Sequence, residues 1–183
     1  LGMYENVLVI ATESYSRITD WTHRDCAFFG DGAGAIVLGK SKNGFISTKI
    51  YSNGMNTGMT GFECLLGEKY TTRPKEVWEA ALSLLPDSIE EILSITGITA
   101  EDISAFFPHQ ASINMLKKIA RKVGLEEKKV KFVMDKYANI AGASIPIAMH
   151  ESFMNNEVKI GDYLLLTAIG SGWCWGSMVV KYE

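Results

Sequence analysis

One pattern occurs twice in this chain, and it constrains the fold more than anything else in the sequence. ENVLVIATES leads to GDGAGAIVLGK near the start, and GDYLLLTAIGSG leads to WGSMVVKYE at the end. Each copy is a continuous apolar run, a glycine-rich stretch and a second run of small and β-branched residues, which predicts a pair of buried strands. The second copy is preceded by alternating helix and strand patterns. A helix is predicted from Pro74 to Ile95, with Val77, Ala81, Leu84, Leu85, Ile89, Ile92 and Leu93 on its apolar side and Pro86 as a break or kink. Thr99 opens a TAED capping box, and Ile103 to Phe107 reads as a strand. Ser112 to Val123 is a helix that stops at Gly124, Val130 to Met134 a strand, and Gly142 to Asn155 a helix. The order α, β, α, β, α, β, β predicts an α/β protein with a mostly parallel sheet covered by helices, made mixed by antiparallel strands at its closing edge.

The first copy shows only the last two strands of such a unit. Residue 1 is Leu and a strand-like run begins by Val7, so the pattern is that of a chain cut from something about twice the size of its complete half. On this reading residues 1–60 hold the last strands of one half and a connection, and residues 61–183 form a complete second half. Two stacked halves give five layers.

Composition narrows the function classes. With 183 residues and 47% hydrophobic content the chain can bury a core. A net charge of -3 and a pI near 5.7 argue against nucleic acid as the main partner. Cys26, Cys64 and Cys174 have no CxxC spacing, which predicts neither a disulfide framework nor a metal site and points to a reduced, cytoplasmic protein. The longest apolar run, Tyr163 to Ile169, is too short to span a bilayer, so no membrane association is expected.

The chemistry is carried by His109 in PHQAS and Asn139 in YANIAGASIP, each where a predicted strand gives way to a helix. Two neutral hydrogen-bond donors at strand ends can converge on one oxygen, which is the requirement for an oxyanion site. A neutral imidazole is favoured by the apolar run Phe106, Phe107 and Pro108 leading into it. Taken alone, either residue has an ordinary structural role: a histidine is more often a satisfied core residue, and an asparagine a helix cap. His23 and His150 lack any such context. GDGAG leads straight into a strand rather than opening a helix, so its glycines are read as packing positions and not as a phosphate cradle. Arg17, Arg24, Lys117, Lys118, Arg121, Lys122, Lys128 and Lys129 form either a solvated face or a docking surface for acidic partners.

FFGDGAGAIVL, FFPHQAS, YANIAGASIPIA and IGSGWCWGSMVV follow one another as four successive motifs do in β-ketoacyl-acyl carrier protein synthase III, and the chain resembles the C-terminal part of that thiolase-fold condensing enzyme family. The resemblance implies a decarboxylative Claisen condensation of an acyl-coenzyme A primer with malonyl-acyl carrier protein, with no further cofactor and no metal. It assigns His109 and Asn139 to stabilising the enolate, and Gly170, Ser171 and Gly172 to the oxyanion loop. It places Arg24, Lys75, Trp78, Ala111 and Ser112 along the coenzyme A and pantetheine path, and Lys117, Lys118 and Arg121 at the carrier-protein docking surface. The family's nucleophilic cysteine has no counterpart here, and Cys174, beside the oxyanion loop, occupies a position that is usually an ordinary small residue. The family is homodimeric as a full-length enzyme.

Three positions depart from the resembling motifs. Ser171 replaces the middle residue of a run of three glycines, Asn114 stands where an arginine is common, and TTRPKEVW with Pro74, Lys75 and Trp78 reshapes the tunnel mouth. These departures keep a specialised polyketide or secondary-metabolite condensing enzyme of the same fold as the alternative to a fatty-acid initiator. A degradative thiolase pairs its histidine with a second cysteine, so Asn139 argues against it. A non-catalytic partner module supplying only the oxyanion residues is the alternative from another class. Strands Glu5 to Thr12 and Gly34 to Gly39 lack sheet neighbours, which predicts oligomerisation or modest solubility.

Overall fold

The structure is a computed structural model that describes residues 4–54, 60–61 and 71–183. In chain order its regular elements are β1 (Asn6–Ser14), β2 (Asp31–Gly39), β3 (Phe45–Ser52), β4 (Thr60–Gly61), β5 (Thr71–Thr72), α1 (Pro74–Thr96), β6 (Ile103–Pro108), α2 (Ile113–Lys122), α3 (Met134–Tyr137), α4 (Ser144–Met154), β7 (Tyr163–Gly170) and β8 (Cys174–Lys181). Both copies of the repeated pattern form antiparallel pairs. β1 and β2 run from Asn6 opposite Gly39 to Ser14 opposite Asp31, and β7 and β8 from Tyr163 opposite Lys181 to Gly170 opposite Cys174.

The main sheet has the order β3-β8-β7-β6, with β6 parallel to β7 and the other neighbours antiparallel. β3 lies in the stretch read as first half and connection, yet it hydrogen-bonds along β8. Successive side chains of β6 point to opposite faces. Phe106 therefore joins a cluster with Leu85, Ile89 and Ile92 of α1 and Leu116 and Ile119 of α2, while Ala105 and Phe107 join Ala148 and Met149 of α4. Ile36 of β2 packs against that second cluster. Among the described residues the layers are α1 with α2, the four-stranded sheet, α4, and the β1–β2 pair, four of the five expected.

Two expectations fail for identifiable reasons. Val130 to Met134 is not a strand: Val130 makes an isolated bridge to Phe106, and the chain then turns into α3. The buried Gln110 side chain takes over the ladder's work, donating from Nε2 to the Lys131 carbonyl at 3.0 Å and accepting from Val133 N–H at 3.2 Å. With that strand absent, β6–β7 is the only parallel strand pair among the described residues, and the sheet is mixed. Nor does Pro86 break α1, which runs through it with Pro86 buried. A proline leaves the carbonyl four residues earlier without its helical donor. That carbonyl, Leu82 O, accepts instead from Lys122 Nζ at 3.4 Å. The TAED box forms, with Thr99 N–H and Oγ1 both donating to Asp102 Oδ2 at 2.8 and 2.7 Å, and the turn it closes leads into β6.

The GDGAG glycines pack closely, as expected of packing positions. A Cβ on Gly34 would sit 2.8 Å from the Pro146 ring, and one on Gly30, just before β2, 2.2 Å from the Tyr137 carbonyl. None of the helices formed by the described residues is long and apolar enough to cross a membrane.

Candidate functional site

A cavity of about 670 Å³ opens where the ends of β6 and β7, the first turns of α1 and α2, and the turn before α4 meet the segment leading into β2. His109 and Asn139 both line it. His109 directly follows β6, and its backbone N–H donates to the Thr167 carbonyl at 2.8 Å, one more rung of the parallel ladder. The ring is partly exposed, to the cavity. Burial pushes its pKa below the ordinary histidine range, opposed by the Ala141 backbone carbonyl, so the imidazole is neutral near pH 7.

Asn139 is held from both sides. Its N–H donates to the Phe28 carbonyl at 2.8 Å and its carbonyl accepts from Gly30 N–H at 3.0 Å, a parallel bridge to the segment preceding β2. The residues flanking it carry unusual backbone: Ala138 has φ 58° and Ala141 φ 38°, conformations that L side chains rarely adopt. Ala141 N–H donates to Asn139 Oδ1 at 3.0 Å. With Oδ1 engaged by a donor, Nδ2 is the group of this amide left to donate. The sequence motif located this residue; the strain on either side of it had no signal in the residue types.

The closing loop contributes the third wall, and Gly170 and Ser171 line the cavity with Trp173. The positive φ in this loop belongs to Gly172, at 137°, and not to Ser171. A serine at the middle position is therefore compatible with the backbone found there. Asn53 and Trp173 exchange backbone hydrogen bonds at 2.7 Å in each direction, fixing the loop to the chain after β3.

Of the residues expected along the ligand path, Arg24, Trp78, Ala111 and Ser112 line the cavity, joined by Pro74 and Val77. Arg24 is largely exposed and pairs with Asp25 at 3.2 Å. Ser112 also caps α2, accepting from Met115 N–H. Lys75 is not among the lining residues and faces Glu79 at 3.9 Å on the surface of α1. The expected docking cations lie on one helix, but Lys117 and Arg121 share Glu127, at 2.6 and 3.3 Å. These contacts hold the Glu127 carboxyl below its usual range, the Lys117 contact foremost. Lys118 sets its ammonium 5.0 Å from the centre of the Trp78 ring, a cation–π contact at the cavity's rim.

Neither Cys26 nor Cys174 lines the cavity, and Cys64 falls outside the described residues. No cluster of three or more histidine, cysteine or acidic side chains that could hold a metal exists among the described residues. Sequence reasoning missed Ser144, whose Oγ lies 3.2 Å from His109 Nδ1. It also missed Phe28 and Phe29, which contribute to the cavity from the segment that clips Asn139.

Residues 93–182 match the family model of the 3-oxoacyl-[acyl-carrier-protein] synthase III C terminal, and residues 1–54 match that of 3-oxoacyl-[acyl-carrier-protein] synthase III. The chain is 37% identical to a β-ketoacyl-[acyl-carrier-protein] synthase III of Brucella suis and 34% to that of Aquifex aeolicus, over 99% of its own length and 60% and 59% of theirs. The chain thus spans about 60% of the curated relatives it matches. Among solved structures, the Aquifex aeolicus synthase III superposes with a TM-score of 0.92 over 97% of this chain and 58% of that one, at 34% identity. A priming β-ketosynthase of the R1128 polyketide pathway does so with a TM-score of 0.91 over 100% of this chain and 58% of that one, at 25% identity.

Proposed function

The chain belongs to the 3-oxoacyl-[acyl-carrier-protein] synthase III family, a thiolase-like fold, and on that premise we propose that it carries the enolate-stabilising part of a decarboxylative condensing site. The observation that supports this most is the orientation of Asn139, whose Oδ1 is occupied by Ala141 N–H so that its donor end is offered beside a neutral His109 in one cavity. When a malonyl thioester loses carbon dioxide, the electron pair of the broken bond moves onto the thioester oxygen. Two N–H donors held around that oxygen as the charge develops lower the barrier, each contributing about 3 to 4 kcal/mol. The substrates in this reading are an acyl-coenzyme A primer and malonyl-acyl carrier protein. Arg24, Trp78, Ala111 and Ser112 guide the pantetheine arm, and Lys118 stands at the rim for an acidic partner.

Acylation belongs to a cysteine other than Cys26, Cys64 and Cys174, so this chain by itself forms no acyl-enzyme and completes no condensation. The cavity lining supports this reading, since it contains neither Cys26 nor Cys174. A full-length parent would work as a homodimer. A second reading, a primer-selecting enzyme of polyketide synthesis, is favoured by Trp78 and Pro74 in the cavity lining and by the likeness to the R1128 enzyme.

The test is release of labelled carbon dioxide from malonyl-coenzyme A. His109→Ala and Asn139→Ala should each slow it about 10²- to 10³-fold; variants as fast as the native chain would sink the reading. Incubation with radiolabelled acetyl-coenzyme A should leave no stable label, and labelling of Cys26, Cys64 or Cys174 would overturn the placement of the nucleophile.

A further inference from the structure

Ser144 is fully buried at the start of α4, and its one hydroxyl proton has competing claims on it. Oγ lies 2.6 Å from the Ala141 carbonyl, 3.2 Å from His109 Nδ1 and 3.4 Å from the Gln110 backbone N–H. The carbonyl can only accept and the N–H can only donate. With the hydroxyl proton committed to the short bond to Ala141, Oγ is an acceptor toward the ring, so Nδ1 carries the imidazole proton and Nε2 holds a lone pair. The function proposed above needs the opposite form, because only Nε2–H can donate to an oxyanion while Nδ1 faces Ser144. Rotation of one hydroxyl reconciles the two. If Ser144 O–H turns from the Ala141 carbonyl to Nδ1, Nδ1 becomes the acceptor and the proton resides on Nε2.

We propose that Ser144 is a positioning residue that sets which nitrogen of His109 carries the proton, holding Nδ1–H in the free protein and Nε2–H when a thioester oxygen occupies the cavity. The exchange changes no net charge: one proton leaves Nδ1 and one arrives at Nε2, both passing through water. The arrangement rests on the proposed function for its second half, since the ligand oxygen is what rewards the Nε2–H form. Without the Ser144 hydroxyl, Nδ1 would be left facing the Ala141 carbonyl, an acceptor, and the ring would be held in the form that cannot donate to the ligand.

The experiment is nitrogen NMR of the chain with ¹⁵N-labelled histidine and tryptophan, free and with acetyl-coenzyme A as the thioester. The free native protein should show a pyrrole-type Nδ1 and pyridine-type Nε2 at His109, and the thioester should reverse them. Ser144→Ala should keep the free pattern in both conditions, and Ser144→Thr, which retains a hydroxyl, should restore the reversal. In malonyl-coenzyme A decarboxylation, Ser144→Ala should lower kcat and leave KM unchanged. An unchanged urea-unfolding midpoint reports that each variant is folded. A pyrrole-type Nε2 in the free native protein, or a Ser144→Ala variant that reverses as the native chain does, would overturn the proposal. If the Trp78 indole signal responds to the thioester while native His109 does not, the switch fails and the proposed function stands. If neither responds, the proposed function fails and the ligand-driven half of the switch falls with it.

Discussion

The β7–β8 and β1–β2 pairs share a sequence pattern and an antiparallel pairing, yet their environments are opposite. Leu165 and Val179 are 0% exposed, whereas Ile10 is 64% and Val37 68% exposed. The first pair lies between β6 and β3 with helices on both faces. The second packs one face on α4 and the turn before it, and its other face has no cover among the described residues. Pattern therefore encodes pairing, while burial is a property of the neighbours. The cavity draws on both: the loop closing the covered pair lines it with Gly170 and Ser171, and the segment leading into the uncovered pair's second strand bridges to Asn139.

The sharpest way to break this comparison is to cut equivalent side chains. Leu165→Ala should destabilise the chain by about 2–5 kcal/mol in urea unfolding, because it opens a cavity between α1 and the sheet. Ile10→Ala should stay within about 0.5 kcal/mol. Equal losses would mean that β1 is covered after all. Next in size is Gly30→Ala, which drives a Cβ into the Tyr137 carbonyl. It should cost about 1–3 kcal/mol and lower decarboxylation further than that loss of fold explains, because it displaces the clip on Asn139.

The smallest effect separates the halves by acid. His109 is held below its ordinary value of about 6.5 in the folded state, so the unfolded chain binds the extra proton first. Its contribution is nil at high pH. Stability falls as pH drops below that ordinary value and stops falling once the folded-state pKa is passed, with a slope of at most about 1.4 kcal/mol per pH unit. His109→Gln should flatten this part of the stability profile. A profile identical to the native one would remove His109 as the source.

Much of this architecture was legible because helix periodicity and strand runs are local. α1, β6 and α2 fall within a residue or two of their predicted bounds. The Val130 strand was misread because its apolar residues match a strand, while the partner that displaces the ladder, Gln110, is twenty residues away in sequence and carries no pattern. That Pro86 leaves α1 unbroken has the same kind of reason: the donor that occupies Leu82 O comes from Lys122 on another helix. At the site, His109 and Asn139 were readable from motifs with distinctive neighbours. Ser144 was not, because a serine at a helix start suggests a cap, and its contact with His109 exists only once β6 and α4 lie side by side.

The bridge between Asn139 and residues 28–30 bears on how this protein can be divided. A cut placed in the connection after β2 would leave the four-stranded sheet, α1, α2 and α4 intact and remove the strut that aims the amide. Such a piece would keep its core and lose its aim. The strut between the segment before β2 and the turn before α4 thus runs along the cavity that His109 and Asn139 line, so the aim of one side chain depends on a stretch of chain more than a hundred residues away.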